Sequence, residues 1–374
     1  MSQQTIQTPF RADVVGSFLR PEALKKARKD FEEGRITATQ LREIEDQLIT
    51  DLIAKQKAHG LKAITDGEFR RAYWHLDFMW GFEGIEHIEL AHGYQFHGEE
   101  TTKGSIRLTG RIGGHAHPFV EDYKFVKQFE EEGIVAKQTL PAPAQLLAEL
   151  FRGDNTLNTL RVYPDGGQLE HDIAAAYRQV ILDLYAAGCR NVQLDDCTWG
   201  MIVDGDYWKS KMNANFSLET DAERYLRVNN LALENLPDDL VVNTHVCRGN
   251  YHSTYACRGA YDPVAPYLFA RANVDAFYLE FDDERSGGFE PLKYVPAGKK
   301  VVLGLITTKS PVLEDRRAVI DRIHEAARYV PLDHLYLSPQ CGFASCEIGN
   351  KLTEEEQWAK VDLVCDIARA VWGE

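Results

Sequence analysis

No apolar stretch in the 374 residues approaches the ~20 needed to cross a bilayer, so a spanning helix is excluded and no membrane partner is expected. The polar opening, Met1 to Thr8, has no apolar core of the kind a signal peptide carries, which makes a cytoplasmic location the expectation. Positive charge is scarce: 42 Lys and Arg face 57 Asp and Glu, and a net charge of -15 argues against a nucleic-acid partner. Short acidic runs, Glu130 to Glu132 and Glu354 to Glu356, read as solvated helix faces. The seven cysteines are odd in number and widely scattered, which excludes the framework of a small disulfide-stapled domain. As thiols most of them read as core filler, leaving a minority for metal binding. No internal repeat, linker or low-complexity tract is visible, so residues 1–374 are expected to form a single domain.

What is present is an alternation. Short apolar or β-branched runs are followed by longer segments of helical periodicity, the pattern of repeated βα units around a parallel sheet. Strand candidates are Asp13 to Phe18, Lys62 to Asp66, Ala136 to Leu140, Asn191 to Asp195, Leu240 to His245, Ala276 to Phe281, Lys300 to Ile306 and His334 to Ser338. Eight such units close a barrel, so the expected fold is α/β, a (β/α)8 TIM barrel. Two regions break the rhythm. Between the second and third candidates, residues 85–117 contain IEHIEL and SIRLTGRI, which predict an inserted β-hairpin. Near the start, Pro21 to His59 holds more helix than one crossover needs and predicts extra N-terminal helices. Gly188 is expected to end the helix containing Ile173, Tyr177, Val180, Ile181 and Leu184. Ser310-Pro311 predicts a helix start, and TEEE at Thr353 to Glu356 is a capping-box signature for the last helix.

The strongest chemical signal is Thr244-His245-Val246-Cys247 at the end of an apolar strand. Residues two apart in an extended chain point to one face, so His245 and Cys247 can reach one ion. Cys341, in Ser338-Pro339-Gln340-Cys341-Gly342, follows the eighth strand candidate, and in a parallel barrel both strand ends open on the C-terminal face where active sites lie. Zinc favours such a nitrogen and sulfur donor set. Glu280, at the end of the sixth strand candidate, is a fourth ligand or a nearby base. From spacing alone a buried histidine with inert thiols is an equally good reading. Cys257 is a rival ligand, with Cys197, Cys346 and Cys365 behind it.

Read in order, VGSF (Val15 to Phe18), TDGEFRR (Thr65 to Arg71), VQLDD (Val192 to Asp196), NTHVC (Asn243 to Cys247), YLEFD (Tyr278 to Asp282) and LSPQCG (Leu337 to Gly342) resemble the catalytic C-terminal domain of cobalamin-independent methionine synthase. The resemblance covers nearly the whole chain. It implies that His245, Cys247, Glu280 and Cys341 ligate zinc and that homocysteine is the thiol substrate. Its carboxylate would lie by the Val15-Gly16-Ser17 backbone and Ser17, with Glu68 and Asp195 on its amino group. The implied reaction is methyl transfer from a 5-methyltetrahydrofolate to homocysteine, giving methionine. Without the resemblance, Glu68 and Asp195 would read as strand-end carboxylates paired with Arg70 or Arg71, and Gly16 as a turn.

The sequence departs from that family at two places. Where the family carries a proton-donating histidine this chain has Thr307-Thr308-Lys309-Ser310, which makes Lys309 the candidate catalytic acid if burial lowers its pKa, or else a binder of an anionic group. Where the family stacks a tryptophan on folate, LPAPAQLLAEL puts Leu147 in register; Trp74, Trp80, Trp199 and Trp208 are the aromatic substitutes near predicted loops. The family's separate N-terminal barrel is not in this sequence either. Two other readings therefore stay open: a zinc-dependent thiol alkyltransferase with a different donor or thiol, similar to epoxide-opening coenzyme M transferases, and a non-catalytic barrel with structural zinc. Oligomeric state is not legible.

Overall fold

The computed structural model describes residues 7–211 and 217–373; Met1 to Ile6, most of the polar opening, lie outside the described residues. The strands before the main sheet are β1 (Ala63–Ile64), β2 (Glu83–Glu89), β3 (Gln95–Phe96), β4 (Glu99–Glu100), β5 (Gly104–Gly113) and β6 (Val135–Ala136). They are followed by β7 (Gln138–Pro141), β8 (Asn191–Asp195), β9 (Val241–Val246), β10 (Ala276–Glu280), β11 (Lys300–Ile306) and β12 (Leu335–Pro339). The sheet runs β12-β11-β10-β9-β8-β7, every pair parallel. It continues through β6, which pairs parallel with β1. Strands β8, β9 and β10 are buried along their whole length, as parallel strands covered on both faces must be.

The first expected strand, Asp13 to Phe18, is not one. It makes a single parallel bridge, Ala12 to Leu337, with Asp13 N donating to Leu337 O at 3.0 Å. Beyond that point its carbonyls are taken by side chains instead of a neighbouring strand. Thr65 Oγ1 donates to Gly16 O at 2.6 Å, Gln193 Nε2 to Val15 O at 2.7 Å, and Lys137 Nζ to Val14 O. Gly16 explains the break: its φ of 146° is open to glycine, and a Cβ there would stand 2.8 Å from Thr139 Cγ2. The segment still fills the place between β12 and β1, so eight chain segments surround one axis in the α/β barrel arrangement.

Register identifies the inward face. His245, Tyr278, Val302 and Tyr336 lie side by side on β9 to β12, and Asp195 is opposite His245 on β8. Tyr278, Val302 and Tyr336 form a small apolar cluster separate from the large core between sheet and helices, which marks them as the lumen layer. Asp13, buried beside them, accepts from Lys137 Nζ at 3.1 Å and Tyr278 OH at 2.9 Å, so the lumen charge is paired. Two residues farther along β9 and β10, the same face carries Cys247 and Glu280 at the C-terminal mouth.

The extra N-terminal helices are Glu22–Glu32 and Ala38–Ala58, the second opened by a Thr37/Gln40 capping box. The inserted hairpin is the antiparallel pair β2 and β5, with the small pair β3 and β4 at its tip. Gly188 follows directly on the cap of helix Gly166–Ala186, and the Thr353/Glu356 capping box opens helix Glu354–Trp372. The Pro311 start fails: that helix is Arg316–Ala326, capped by Asp315. Residues between are drawn into a loop instead, because buried Lys360 binds Val312 O and the Glu314 carboxylate, and Glu314 accepts from Thr307 N at 2.8 Å.

Candidate active site

At the C-terminal mouth the donor atoms of His245, Cys247 and Cys341 all lie within 4.8 Å of one another, and all three side chains are buried. His245 and Cys247 come from the end of β9 and Cys341 from the loop after β12, brought together by the parallel pairing of β9 to β12. Gly342 lets the Cys341 loop approach the first segment: a Cβ there would meet Ser17 Oγ at 1.8 Å. Phe343 N donates to Ser17 O at 3.0 Å, while Asn250 Nδ2 at 2.8 Å and Thr308 Oγ1 at 3.0 Å both donate to Gly342 O. Asn250 and Thr308 carry no motif and were not legible in the sequence.

His245 donates from Nδ1 to Asp195 Oδ1 at 3.0 Å, and its Nε2 faces Gln340 O at 3.1 Å. Burial alone would favour the neutral ring, but the bonds to Asp195 and Cys341 outweigh it and raise the pKa to about 10. The thiols oppose ionisation: Cys247 is pushed up first by its bond to Cys197, and Cys341 first by its bond to Cys247, with burial adding to each. A metal cation among these groups would hold both thiols as thiolates and take the place of the His245 proton. Nitrogen and sulfur donors in a buried cluster, with a carboxylate orienting the histidine from behind, fit a metal ion such as zinc.

Cys197 is the near thiol, its Sγ 3.2 Å from Cys247 Sγ, whereas Cys257 is turned away toward Gly200 O and Arg248 O. Cys346 lines the adjoining cavity, and Cys365 bonds His59 O on the far side of the barrel. Glu280 lies outside the three-donor group. Its Oε2 accepts from Arg248 N at 3.0 Å, and its Oε1, with no hydrogen-bond partner, lies 3.2 Å from Arg285 Nη1. Burial would raise its pKa, but Lys309, Arg248 and Arg285 hold it below the usual carboxylate range.

Lys309 does not line the cavity. Its Nζ is buried 4.0 Å from Asp282 Oδ2. Burial acts to lower its pKa, yet Glu280 and Asp282 more than offset this and the shift is upward. The lowered pKa that the sequence expectation required is therefore not what this environment produces: two carboxylates stabilise the ammonium.

The cavity beside the three donors is lined by Val15, Ser17, Glu68 and Asp195 at its inner end. Glu68 sits in a tight loop with Gly67 at φ 66° and is itself at φ 61°, a left-handed conformation costly for a side-chain residue. The loop is pinned by Arg20, whose guanidinium donates to Phe18 O, Ala344 O and Arg71 O. Oε1 of Glu68 accepts from Arg71 Nη1 and Thr139 Oγ1, each at 3.2 Å, while Oε2 is buried without a partner. Burial is the main reason its pKa is pushed up to about 7. Pairing with Arg71 is thus real, as the architectural reading expected, but it satisfies only half of the carboxylate. Gly16 is not itself on the cavity wall; its conformation sets Val15 and Ser17 there.

The outer walls are aromatic, and this the sequence reading largely missed. Tyr73, Trp74, Tyr94, Phe96 and Tyr251 all line the cavity, with Phe96 contributed by the hairpin tip. His75 joins them, both ring nitrogens buried without partners and its pKa lowered by burial to about 4. Of the tryptophans proposed as substitutes, Trp74 is the one on the cavity; Trp80 donates to Ser105 O, and Trp199 and Trp208 are buried packing. Leu147 is buried in the helix Pro143–Leu150.

Comparison with known proteins matches residues 10–369 to the family described as cobalamin-independent synthase, catalytic domain. The uncharacterized protein YxjG of Bacillus subtilis (strain 168) is 44% identical over 99% of this chain and 97% of its own length. A Listeria monocytogenes protein provisionally described as a vitamin-B12-independent methionine synthase has a solved structure similar at TM-score 0.78 and 41% identity, covering 99% of this chain and 100% of that one. A B12-independent methionine synthase from Shewanella sp. W3-18-1, solved in complex with selenomethionine, is similar in fold at TM-score 0.73 and 19% identity, covering 96% and 97%.

Proposed function

The chain belongs to the cobalamin-independent synthase catalytic-domain family, and on that premise we propose that it is a zinc-dependent S-methyltransferase that methylates homocysteine to methionine. The observation that carries this reading is the single cavity in which three metal donors, His245, Cys247 and Cys341, adjoin an unsatisfied buried carboxylate oxygen of Glu68. An amino-acid thiol needs both: a centre for sulfur and an anion for its ammonium.

His245, Cys247 and Cys341 would hold zinc, with Glu280 the fourth donor implied by the family. When bound, the metal supplies the positive charge that keeps a substrate thiol in its nucleophilic thiolate form at neutral pH. Asp195 holds the imidazole of His245 in the orientation that presents Nε2. The ammonium of homocysteine binds Glu68 and Asp195, and Arg71 and Thr139 keep Glu68 from turning away. Ser17 and the Val15 segment border the same end of the cavity and receive the carboxylate. The buried walls exclude water, so the methyl carbon is delivered to sulfur rather than lost to hydrolysis.

Zinc-loaded protein incubated with homocysteine and a panel of methyl donors, including a methylated tetrahydrofolate, should yield methionine by mass spectrometry. Absence of methionine with every donor would refute the reading. A cavity open beside the donor cluster favours catalysis over a purely structural metal, and sulfur entering the zinc coordination shell on addition of homocysteine, read by X-ray absorption, is the corresponding check.

A further inference from the structure

The cavity has a charge composition that its size and location do not require. Among the described residues, two carboxylates, Glu68 and Asp195, line it, and no lysine or arginine does. Arg152 lies 4.3 Å from the Tyr94 ring centroid, but the guanidinium is paired with Glu149 at 2.7 Å and brings no net charge. Lys309, the nearest candidate cation by sequence, is held outside by Asp282. Five aromatic side chains, Tyr73, Trp74, Tyr94, Phe96 and Tyr251, line it as well, with His75, Leu76 and Met201 among its other walls. Aromatic faces combined with carboxylates, and without lysine or arginine, recognise methylated cations through the ring quadrupole. A polyanionic donor would be desolvated there with no partner for its charge.

We propose that the methyl donor is a small onium cation, a methylsulfonium or a methylated quaternary ammonium, seated against Trp74, Tyr251 and their aromatic neighbours in the thiol cavity. The inference rests on the methyl-transfer reading and names the donor class for it. It also accounts for the missing acid. A methyl group on an amine nitrogen leaves only after that nitrogen is protonated, and among the described residues no lysine or arginine lines the cavity to do so, while His245 is bonded to Asp195 and belongs to the three-donor group. An onium needs none. The thiolate sulfur forms a bond to the methyl carbon, the bond from that carbon to the positive sulfur or nitrogen breaks, and the electron pair leaves on it as a neutral thioether or tertiary amine. The substrate thiol's proton goes to solvent, so one thiol and one cation give a methyl thioether, a neutral leaving molecule and one proton.

The test uses the full-length zinc-loaded protein and calorimetric titration with trimethylsulfonium, tetramethylammonium and their neutral counterpart tert-butyl alcohol. At least one cation should bind about tenfold tighter than the alcohol, the scale of a desolvated cation–π contact. Trp74→Leu and, separately, Tyr251→Leu should each weaken that cation at least about fivefold, while Trp74→Phe keeps most of the affinity. Homocysteine with the bound cation should then release dimethyl sulfide or trimethylamine, and which gas appears identifies the onium type. Equal affinity for cation and alcohol, or affinity unchanged in both leucine variants, overturns the proposal. Selective binding with neither gas released also overturns the donor assignment; if methionine still forms from a methylated folate, the thiol-methylation reading survives that failure.

Discussion

Glu68→Gln separates the electrostatic cost of this site from its packing. The glutamine keeps the shape and can still accept from Arg71 and Thr139, but it removes a carboxyl whose pKa is pushed from 4.5 to about 7, chiefly by burial. A carboxyl raised in the folded state stabilises the fold in its protonated form. That contribution is fully present below the unfolded pKa near 4.5 and is lost as pH rises through about 7. Between about pH 5 and about pH 8 the wild type should therefore lose about 2 to 3 kcal/mol relative to the variant, because each tenfold change in proton affinity is worth about 1.4 kcal/mol. Urea denaturation of both proteins at the two pH values reads the difference from their midpoints. A stability gap that stays constant across the range would refute the reasoning that burial of Glu68 outweighs its pairing with Arg71. The same residue makes a binding prediction: near pH 6, homocysteine binding to the zinc-loaded protein should release up to about one proton more from wild type than from Glu68→Gln, whose remaining release is that of the substrate thiol, measured by calorimetry in buffers of different ionisation enthalpy.

Cys247→Ala and Cys341→Ala should each abolish stoichiometric zinc and methyl transfer, since each removes one of three clustered donors; full zinc occupancy in Cys341→Ala would redirect attention to Cys197, 3.2 Å from Cys247, or to Cys346. Glu280→Gln should weaken zinc in chelator competition far less than either cysteine change, because its carboxylate lies outside the three-donor group and is bonded to Arg248 N. Asp195→Asn should lower zinc affinity about 10- to 100-fold through the orientation of His245. Thr353→Ala should cost about 1 kcal/mol in thermal or urea unfolding without changing zinc content, as it removes only the helix cap.

Much of this molecule is local and therefore readable along the chain. The buried parallel strands announce themselves as short β-branched runs, the caps of the last helix as TEEE, and the hairpin as two alternating segments. His245 and Cys247 share a face because the strand repeat is two, a property that needs no tertiary information. The resemblance supplied the remaining candidate site residues by motif order. Two local expectations went astray for reasons that lie elsewhere in the fold. Asp13 to Phe18 does not continue as a strand because Thr65, Lys137 and Gln193 satisfy its carbonyls, and the Pro311 helix start is displaced by Lys360 pulling the preceding loop inward.

The charge state of Lys309 depends on Glu280 and Asp282, which stand on and just after the preceding strand; sequence position alone suggested only burial. The aromatic wall is assembled from the Tyr73–His75 turn, the hairpin tip and the loop after β9, with no spacing to betray it. The unpaired oxygen of Glu68 is a property of who is absent from its surroundings. The sequence by itself thus determined most strand identities, the cap of the last helix and which donors could share a face, because these follow from backbone periodicity and neighbouring side chains. Which donors meet, which carboxylates are paired and what charge the cavity presents were decided only by tertiary structure, since electrostatics acts through distances that the closed sheet alone sets.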